Sequence, residues 1–392
     1  MDPVLNPFAP GAGSQPPELA GRADVRETVR IHNERLRIGR QAKSVLMVGL
    51  RGVGKTVLLD RMMMDAEVVG LHTVRLEAPE NRSLPALLAP ELRRALLRLS
   101  KVAAAKDVAV RGLRALAGFA GKLKLTYNDI EIGFDYEAEP GLADNGDLES
   151  DLTALLEQVG RAARAADTVL LIFIDELQYV PEQQLAALIS ALHRCAQATL
   201  PVAVIGAGLP QLRGQMGEAK SYAERLFEFV EIGPLSVPDA RAALQKPCEG
   251  EGIEIASNAL DLIVSKTCGY PYFLQEWGKH AWDRAQASPI TQGDAEDATE
   301  ATIRALDASF FRVRLDRLTP AEKGYLRAMA ELGPGPHRSG DIAVALGRDV
   351  KQLAPVRGKL IAKGMVWSPS HGDTAFTVPL FDQYMLRAMP SV

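Results

Sequence analysis

Residues 44–56 read SVLMVGLRGVGKT. SVLMV is short, apolar and followed at once by glycine, which reads as a buried strand. VLLDRMMMDAEV, from Val57 on, has helical periodicity. Between them Gly49, Leu50, Arg51, Gly52, Val53, Gly54, Lys55 and Thr56 fit the pattern G-x-x-x-x-G-K-[ST]. Glycines in such a loop let consecutive backbone N–H groups turn inward around phosphate oxygens, and the following helix adds the positive end of its dipole. Lys55 then reaches the β and γ phosphates, and the Thr56 hydroxyl binds Mg²⁺. A glycine turn in an unrelated α/β fold would not require this strand-loop-helix context.

A nucleotide site of this kind needs an acidic group at the end of another strand. TVLLIFIDEL supplies one: seven apolar or β-branched residues, 168–174, lead to Asp175 and Glu176. Asp175 is placed to hold Mg²⁺ through water, and Glu176 to polarise an attacking water. Carboxylates are also favoured at helix N-termini, but here the pair lies about 120 residues after a phosphate loop. The adjacent Glu suits water activation rather than phosphate transfer to an acceptor.

The chain has 392 residues, 47% hydrophobic and 24% charged, with a formal net charge of −4. That composition is ordinary for a globular protein, and it excludes a global basic field, so nucleic-acid contact would need a local patch. Cys195, Cys248 and Cys268 form no C-x-x-C pair, which argues against a disulfide framework or zinc site and suits the cytoplasm. No signal pattern opens the chain, and no apolar run approaches the ~20 residues of a membrane span. Residues 1–22 read as an extended strap rich in Pro and Gly, followed by a helix. Strands at 71–78, 168–175, 201–207 and 229–235 alternate with helices, one of them capped by Ser83, and indicate a parallel α/β sheet with helices on both faces. Residues 101–147 read as an insertion with a hairpin around Asn128-Asp129. The expected organisation is a strap plus α/β nucleotide-binding core over 1–235, a helical lid over 236–308, and a further module over 309–392.

Together GLRGVGKT, IDELQYV, PVAVIGAGLPQL and YAERLFEFVEIGPLS resemble an AAA+ ATPase of the P-loop NTPase class, nearest to the bacterial and archaeal origin-recognition-like branch bordering on the STAND class. The resemblance extends over nearly the whole chain and implies ATP or ADP with Mg²⁺ as ligands. In that family the strand after the acidic motif ends in a polar sensor that helps place the water. Here it ends in Gly206, Ala207 and Gly208, with Gln211 the nearest polar side chain, a departure that implies slow turnover. The family's arginine finger falls on Arg225, with Arg213 as the weaker candidate, and would act on a neighbouring subunit of an oligomer; an Arg225 paired with Glu224 or Glu228 on a helix face is the other reading. TCGYPYFLQEW resembles the G-x-P element of the lid, through Gly269 and Pro271, with Pro271 beside adenine. Lys279 stands near the family's second sensor, and Leu19–Arg22 resembles the element that approaches adenine through its backbone.

LTPAEKGYLRAMAELG has Thr319 as N-cap, Pro320 at the first helical position and Glu322 three residues after the cap, a capping-box arrangement. Two more helices and two β runs around His371-Gly372-Asp373 follow, an order that resembles a winged helix-turn-helix. Residues 312–392 hold 12 Lys or Arg against 7 Asp or Glu. Arg357, Lys359 and Lys363 lie on the third helix, Arg348 and Lys351 lead into it, and Ser368, Ser370 and His371 fall in the wing, 368–373. These residues are expected to contact double-stranded DNA. The expected function is an ATP-hydrolysing switch coupled to that module. A DNA-binding regulator locked on ADP and a signalling or defence protein whose winged helix binds protein remain open.

Overall fold

Continuous apolar runs become interior strands where both faces of a sheet are covered. The structure, a computed structural model, describes residues 1–11, 13–79, 82–123 and 136–389. It comprises two compact units: Arg22–Val48 with Lys55–Glu231, and Met1–Gly21 with Gly49–Gly54 and Ile232–Val392. The first runs α1 (Ala23–Arg37), β1 (Ser44–Val48), α2 (Lys55–Val68), β2 (His72–Glu77), α3 (Leu84–Leu99), α4 (Lys106–Leu123), α5 (Leu148–Ala165), β3 (Leu170–Asp175), α6 (Glu182–Gln197), β4 (Val202–Gly208), α7 (Leu212–Ala219), α8 (Ala223–Leu226) and β5 (Phe227–Glu231).

The five strands are parallel in the order β2-β3-β4-β1-β5. Every residue of β1, β3 and β4 is buried, whereas the edge strands β2 and β5 are mixed. Strand β4 therefore lies between β1 and β3, with Leu46 and Ile174 both in register with Gly206. The last strand sits earlier than its apolar pattern suggests, at 227–231 rather than 229–235. Gly233-Pro234 follows, and a proline has no N–H to give a ladder.

The small residues after position 101 form helix α4, whose Ala109, Gly112 and Ala115 are buried. Their size lets α4 pack closely against α3 and α5. The hairpin expected around Asn128-Asp129 lies outside the described residues.

The second unit runs α9 (Val237–Gly250), α10 (Ser257–Thr267), α11 (Pro271–Arg284), α12 (Gln292–Ala308), α13 (Phe310–Asp316), α14 (Pro320–Glu331), β6 (His337–Arg338), α15 (Ser339–Ala345), α16 (Val350–Ala362), β7 (Val366–Trp367), β8 (Asp373–Phe376) and α17 (Phe381–Ala388). An aromatic chain organises its core: Phe273 lies 6.4 Å from Phe311, which stacks on Tyr384 at 5.1 Å. The Pro-rich start of the chain is anchored on α11. Phe8 is buried, the Trp282 indole N–H donates to Asp2 O at 2.9 Å, and the Asn6 amide donates to Asp283 at 2.8 Å.

Strands β6, β8 and β7 form an antiparallel sheet in that order. Strand β6, only two residues long, is too short to show alternation in sequence. Cys195 and Cys248 are buried free thiols, both pushed up to about 12 by burial, and Cys268 is an exposed one.

Thr319 and Glu322 form the capping box of α14. Glu322 is 1% exposed and accepts from Thr319 N–H at 2.7 Å and from the Lys363 ammonium at 2.8 Å. Burial pushes its pKa upward, but the bonds from Lys363 and Thr319 outweigh that and hold it below the ordinary value. A depressed folded-state pKa contributes stability above the free carboxylate's pKa and loses it as pH falls through the folded value. Glu322→Ala should lower the unfolding free energy at neutral pH by about 1–3 kcal/mol. Urea titrations at pH 7 and at pH 4 check this: the gap between wild type and variant should narrow at the lower pH.

Candidate nucleotide site

Asp175 ends β3, the strand flanked by β2 and β4, and is only 3% exposed. A carboxylate there needs compensation for lost hydration. Arg75 of β2 supplies it: its Nη2 lies 3.5 Å from Asp175 Oδ2, its Nε donates to Asp60 of α2 at 2.7 Å, and its Nη1 donates to Leu76 O at 2.6 Å. The Glu176 N–H donates to the other Asp175 oxygen at 2.9 Å. Arg75 thus ties the acidic end of β3 to the helix that Lys55 and Thr56 open.

Glu176 adopts a left-handed backbone, φ 55° and ψ 35°. Such a conformation costs a non-glycine residue energy and concentrates at functional positions. It turns the chain out of the strand into a 3-10 turn, Leu177–Tyr179, closed by Tyr179 N–H to Glu176 O at 3.0 Å. The Gln178 amide donates to Glu176 Oε2.

Lys55 and Thr56 begin α2, with Val57 behind them, and Leu58, Leu59 and Met62 bury the helix. In the second unit, Gly52 and Gly54 have φ of 81° and 88°, the left-handed turns a phosphate-cradling loop requires. Gly49 approaches Ile232 so closely that a Cβ would stand 2.1 Å from its carbonyl oxygen. Gly52 O accepts from Tyr272 N–H at 3.2 Å, immediately after Pro271 at the first position of α11. Arg51 donates through its backbone N–H to Thr377 O at 3.1 Å and through Nε to Gly364 O at 3.4 Å. The loop is thereby brought together with the G-x-P element and with the base of the β7–β8 hairpin.

Other expected site residues are placed differently. Arg225 is exposed on the four-residue α8, and Arg213 lies over the Phe229 ring at 5.4 Å. Lys279 is exposed on α11. On α16, Arg357 donates to Thr374 Oγ1 at 2.7 Å and to Ser368 Oγ and Asp373 O, each at 2.8 Å, and so braces the β7–β8 hairpin. Lys363 is bonded to Glu322 and, at 3.1 Å, to Arg317 O. Lys359, Lys351 and Arg348 are exposed. Arg75 and Gln178 escaped the sequence reading. The available signals were a guanidinium set between the buried Val74 and Leu76, and an amide within the otherwise apolar LQYV.

Comparison with known proteins accords with this geometry. The AAA ATPase domain family matches residues 18–205, and a domain of unknown function (DUF8462) matches residues 308–385. No curated protein matches the sequence significantly. Among solved structures, a Walker-type ATPase of Pyrococcus abyssi is 16% identical, with 97% of this chain and 99% of that one covered and a TM-score of 0.59. The RuvB Holliday junction branch migration motor of Thermotoga maritima is 16% identical, with 95% of each chain covered and a TM-score of 0.45. The ORC1 protein of Aeropyrum pernix, solved in complex with DNA, is 15% identical, with 96% of this chain and 94% of that one covered and a TM-score of 0.47. The fold is that of a P-loop AAA+ ATPase, with an AAA ATPase domain over residues 18–205. Among the described residues no helix is long and apolar enough to cross a membrane.

Because Arg75 compensates a buried carboxylate, Arg75→Ala should lower the unfolding free energy by about 1–3 kcal/mol. Urea denaturation of the nucleotide-free protein measures this; a change within 0.5 kcal/mol, roughly the surface-substitution range, would remove Arg75 from the role given to it.

Proposed function

We propose that the chain is an ATP-binding molecular switch that hydrolyses ATP slowly and couples its nucleotide state to a C-terminal winged helix. The observation that carries this reading is the combination, in an AAA+ fold, of a phosphate-loop sequence opening α2 with Asp175 and a left-handed Glu176 at the end of β3. In this reading the amides of Gly49–Thr56 surround the phosphates and Lys55 offsets their charge. Thr56 and Asp175 present the hard oxygen donors that would hold Mg²⁺. When bound, Mg²⁺ would neutralise charge on the phosphate oxygens. Glu176 takes the proton of the attacking water as its oxygen bonds to the γ-phosphorus, and the bond from that phosphorus to the bridging oxygen breaks to release ADP. Pro271 lies beside the base. Arg225 is exposed and available to a second copy of the chain, which would make the active form an oligomer. Residues 1–235, 236–308 and 309–392 then serve as strapped core, lid and output module.

The order α14-β6-α15-α16-β7-β8 supports a winged helix. Its DNA-facing cations would be Arg348, Lys351 and Lys359, since Arg357 and Lys363 are engaged in the module's own fold. Exposed apolar residues there, Val344 at 82% and Val350 at 43%, favour a second reading in which the module binds protein.

Lys55→Ala should abolish binding of a fluorescent ATP analogue. Glu176→Gln should keep binding but lose turnover by about 10²-fold or more; turnover at the wild-type rate would sink the assigned base, and wild-type protein that retains ADP and hydrolyses nothing would favour the locked regulator. For DNA, a mobility-shift titration against salt is decisive, because phosphate contacts weaken steeply as salt rises. Reversing Arg348, Lys351 and Lys359 to Glu should weaken duplex binding by about tenfold or more at fixed salt. Unchanged binding would move the DNA surface elsewhere, and no binding by wild type would favour the protein-binding reading.

A further inference from the structure

The end of β4 carries no polar side chain at Gly206, Ala207 or Gly208, although a water-activating carboxylate stands beside that strand end. The structure explains the glycines sterically. A Cβ on Gly206 would stand 2.3 Å from Leu177 Cδ1, and one on Gly208 would stand 2.8 Å from Gln178 Oε1 and equally close to Leu212 Cδ2. The space a side chain of β4 would fill is taken in part by the two residues that follow Glu176, with Leu46 and Leu212 filling the rest.

Gln178 is buried, 6% exposed, and both ends of its amide are engaged. Oε1 accepts from the Leu209 N–H at 3.0 Å, at the exit of β4. Since a backbone N–H can only donate, this bond fixes which end of the amide is oxygen, and Nε2 is left to donate to Glu176 Oε2. The Gln178 backbone oxygen accepts from Gln215 Nε2 of α7 at 3.2 Å, which anchors the turn itself. One buried side chain therefore links the Glu176 carboxylate to the end of the neighbouring strand.

We infer that Gln178 is a positioning residue: it holds the Glu176 carboxylate at a fixed place relative to the end of β4 and leaves the other carboxylate oxygen for water. This rests on the proposal that Glu176 activates water. An amide donor that is itself anchored restricts the carboxylate's rotamers, which a group that must meet a bound water at one place requires. The charged neighbours of this base are Asp175 and, behind it, Arg75. The groups reaching Gln178 from the β4 exit and from α7, Leu209 N–H and Gln215, are neutral. Gln178 also makes Glu176 responsive to the turn after β4, because a shift of Leu209 is transmitted through a single amide.

Steady-state ATP hydrolysis and fluorescent ATP-analogue binding by the full chain test this. Gln178→Ala should lower kcat by about tenfold or more with KM and analogue affinity within about twofold, because Glu176 is misplaced while binding is intact. Gln178→Glu keeps the shape and can still accept from Leu209, but it sets a second carboxyl against Glu176. The amide donor to Glu176 is lost and the carboxylate is pushed from its place, so kcat should again fall by about tenfold or more with analogue affinity within about twofold. Gly208→Ala, whose Cβ would displace the Gln178 amide, should reproduce the kcat loss. Thermal melting reports whether each variant is folded, and if Gln178→Ala is not, the isosteric Gln178→Glu decides. A kcat within twofold of wild type in folded Gln178→Ala or in Gln178→Glu overturns the inference. If those variants behave as wild type while Glu176→Gln loses turnover, only the role of Gln178 falls. Wild-type turnover by Glu176→Gln, or no turnover by wild type, overturns the underlying reading as well.

Discussion

A negative charge at the end of a buried strand is the constraint around which the α/β unit is arranged. Asp175 terminates a strand covered on both faces, where an unpaired carboxylate would be costly. Its neighbours answer that cost in sequence and in space. Arg75 reaches it from the adjoining strand, the next N–H in the chain donates back to it, and Asp60 holds the far side of the Arg75 guanidinium. Since Asp60 lies on the helix that Lys55 and Thr56 open, the guanidinium fixes that helix with respect to the acidic strand end. The charge of Asp175 therefore organises the elements around it.

What lies beyond Asp175 follows from the way the chain leaves the strand. The left-handed Glu176 redirects the backbone so that Leu177 and Gln178 fold back against β4. A Cβ at position 206 or 208 would crowd that packing, together with Leu46 and Leu212, and glycine avoids the crowding at both. A strand end that looks deficient when β4 is read alone is completed by an amide from its neighbour.

The order of strands and helices, the glycine turn before α2, the acidic pair at the end of β3 and the caps at Ser83 and Thr319 were legible in the sequence because each is a local pattern: a run of apolar residues, a spacing of glycines, a hydroxyl before a helix. Arg75 and Gln178 were harder to read for the opposite reason. Their roles arise from parallel strands that are distant in sequence, and periodicity does not say which strands will be neighbours. The two-residue β6 was missed because two residues carry no alternation, and β5 was set too late because Pro234 and Gly233 extend an apolar run that cannot extend a ladder.

The basic excess of the C-terminal module illustrates how charge must be divided before it is interpreted. Lys363 is bonded to the nearly buried Glu322, and Arg357 closes the space between α16 and the β7–β8 hairpin through three hydrogen bonds. Both cations are therefore spent on contacts within the chain itself. A charge count over 312–392 therefore overstates what is available to a ligand. Of the cations that remain exposed, Arg348, Lys351 and Lys359 lie at the start of α16 or on it, as the exposed Val350 does, and the exposed Val344 lies on α15. A surface that mixes a few cations with apolar side chains can serve DNA phosphates or a protein partner. Salt separates the two, because counterion release scales with phosphate contacts and burial of valine does not.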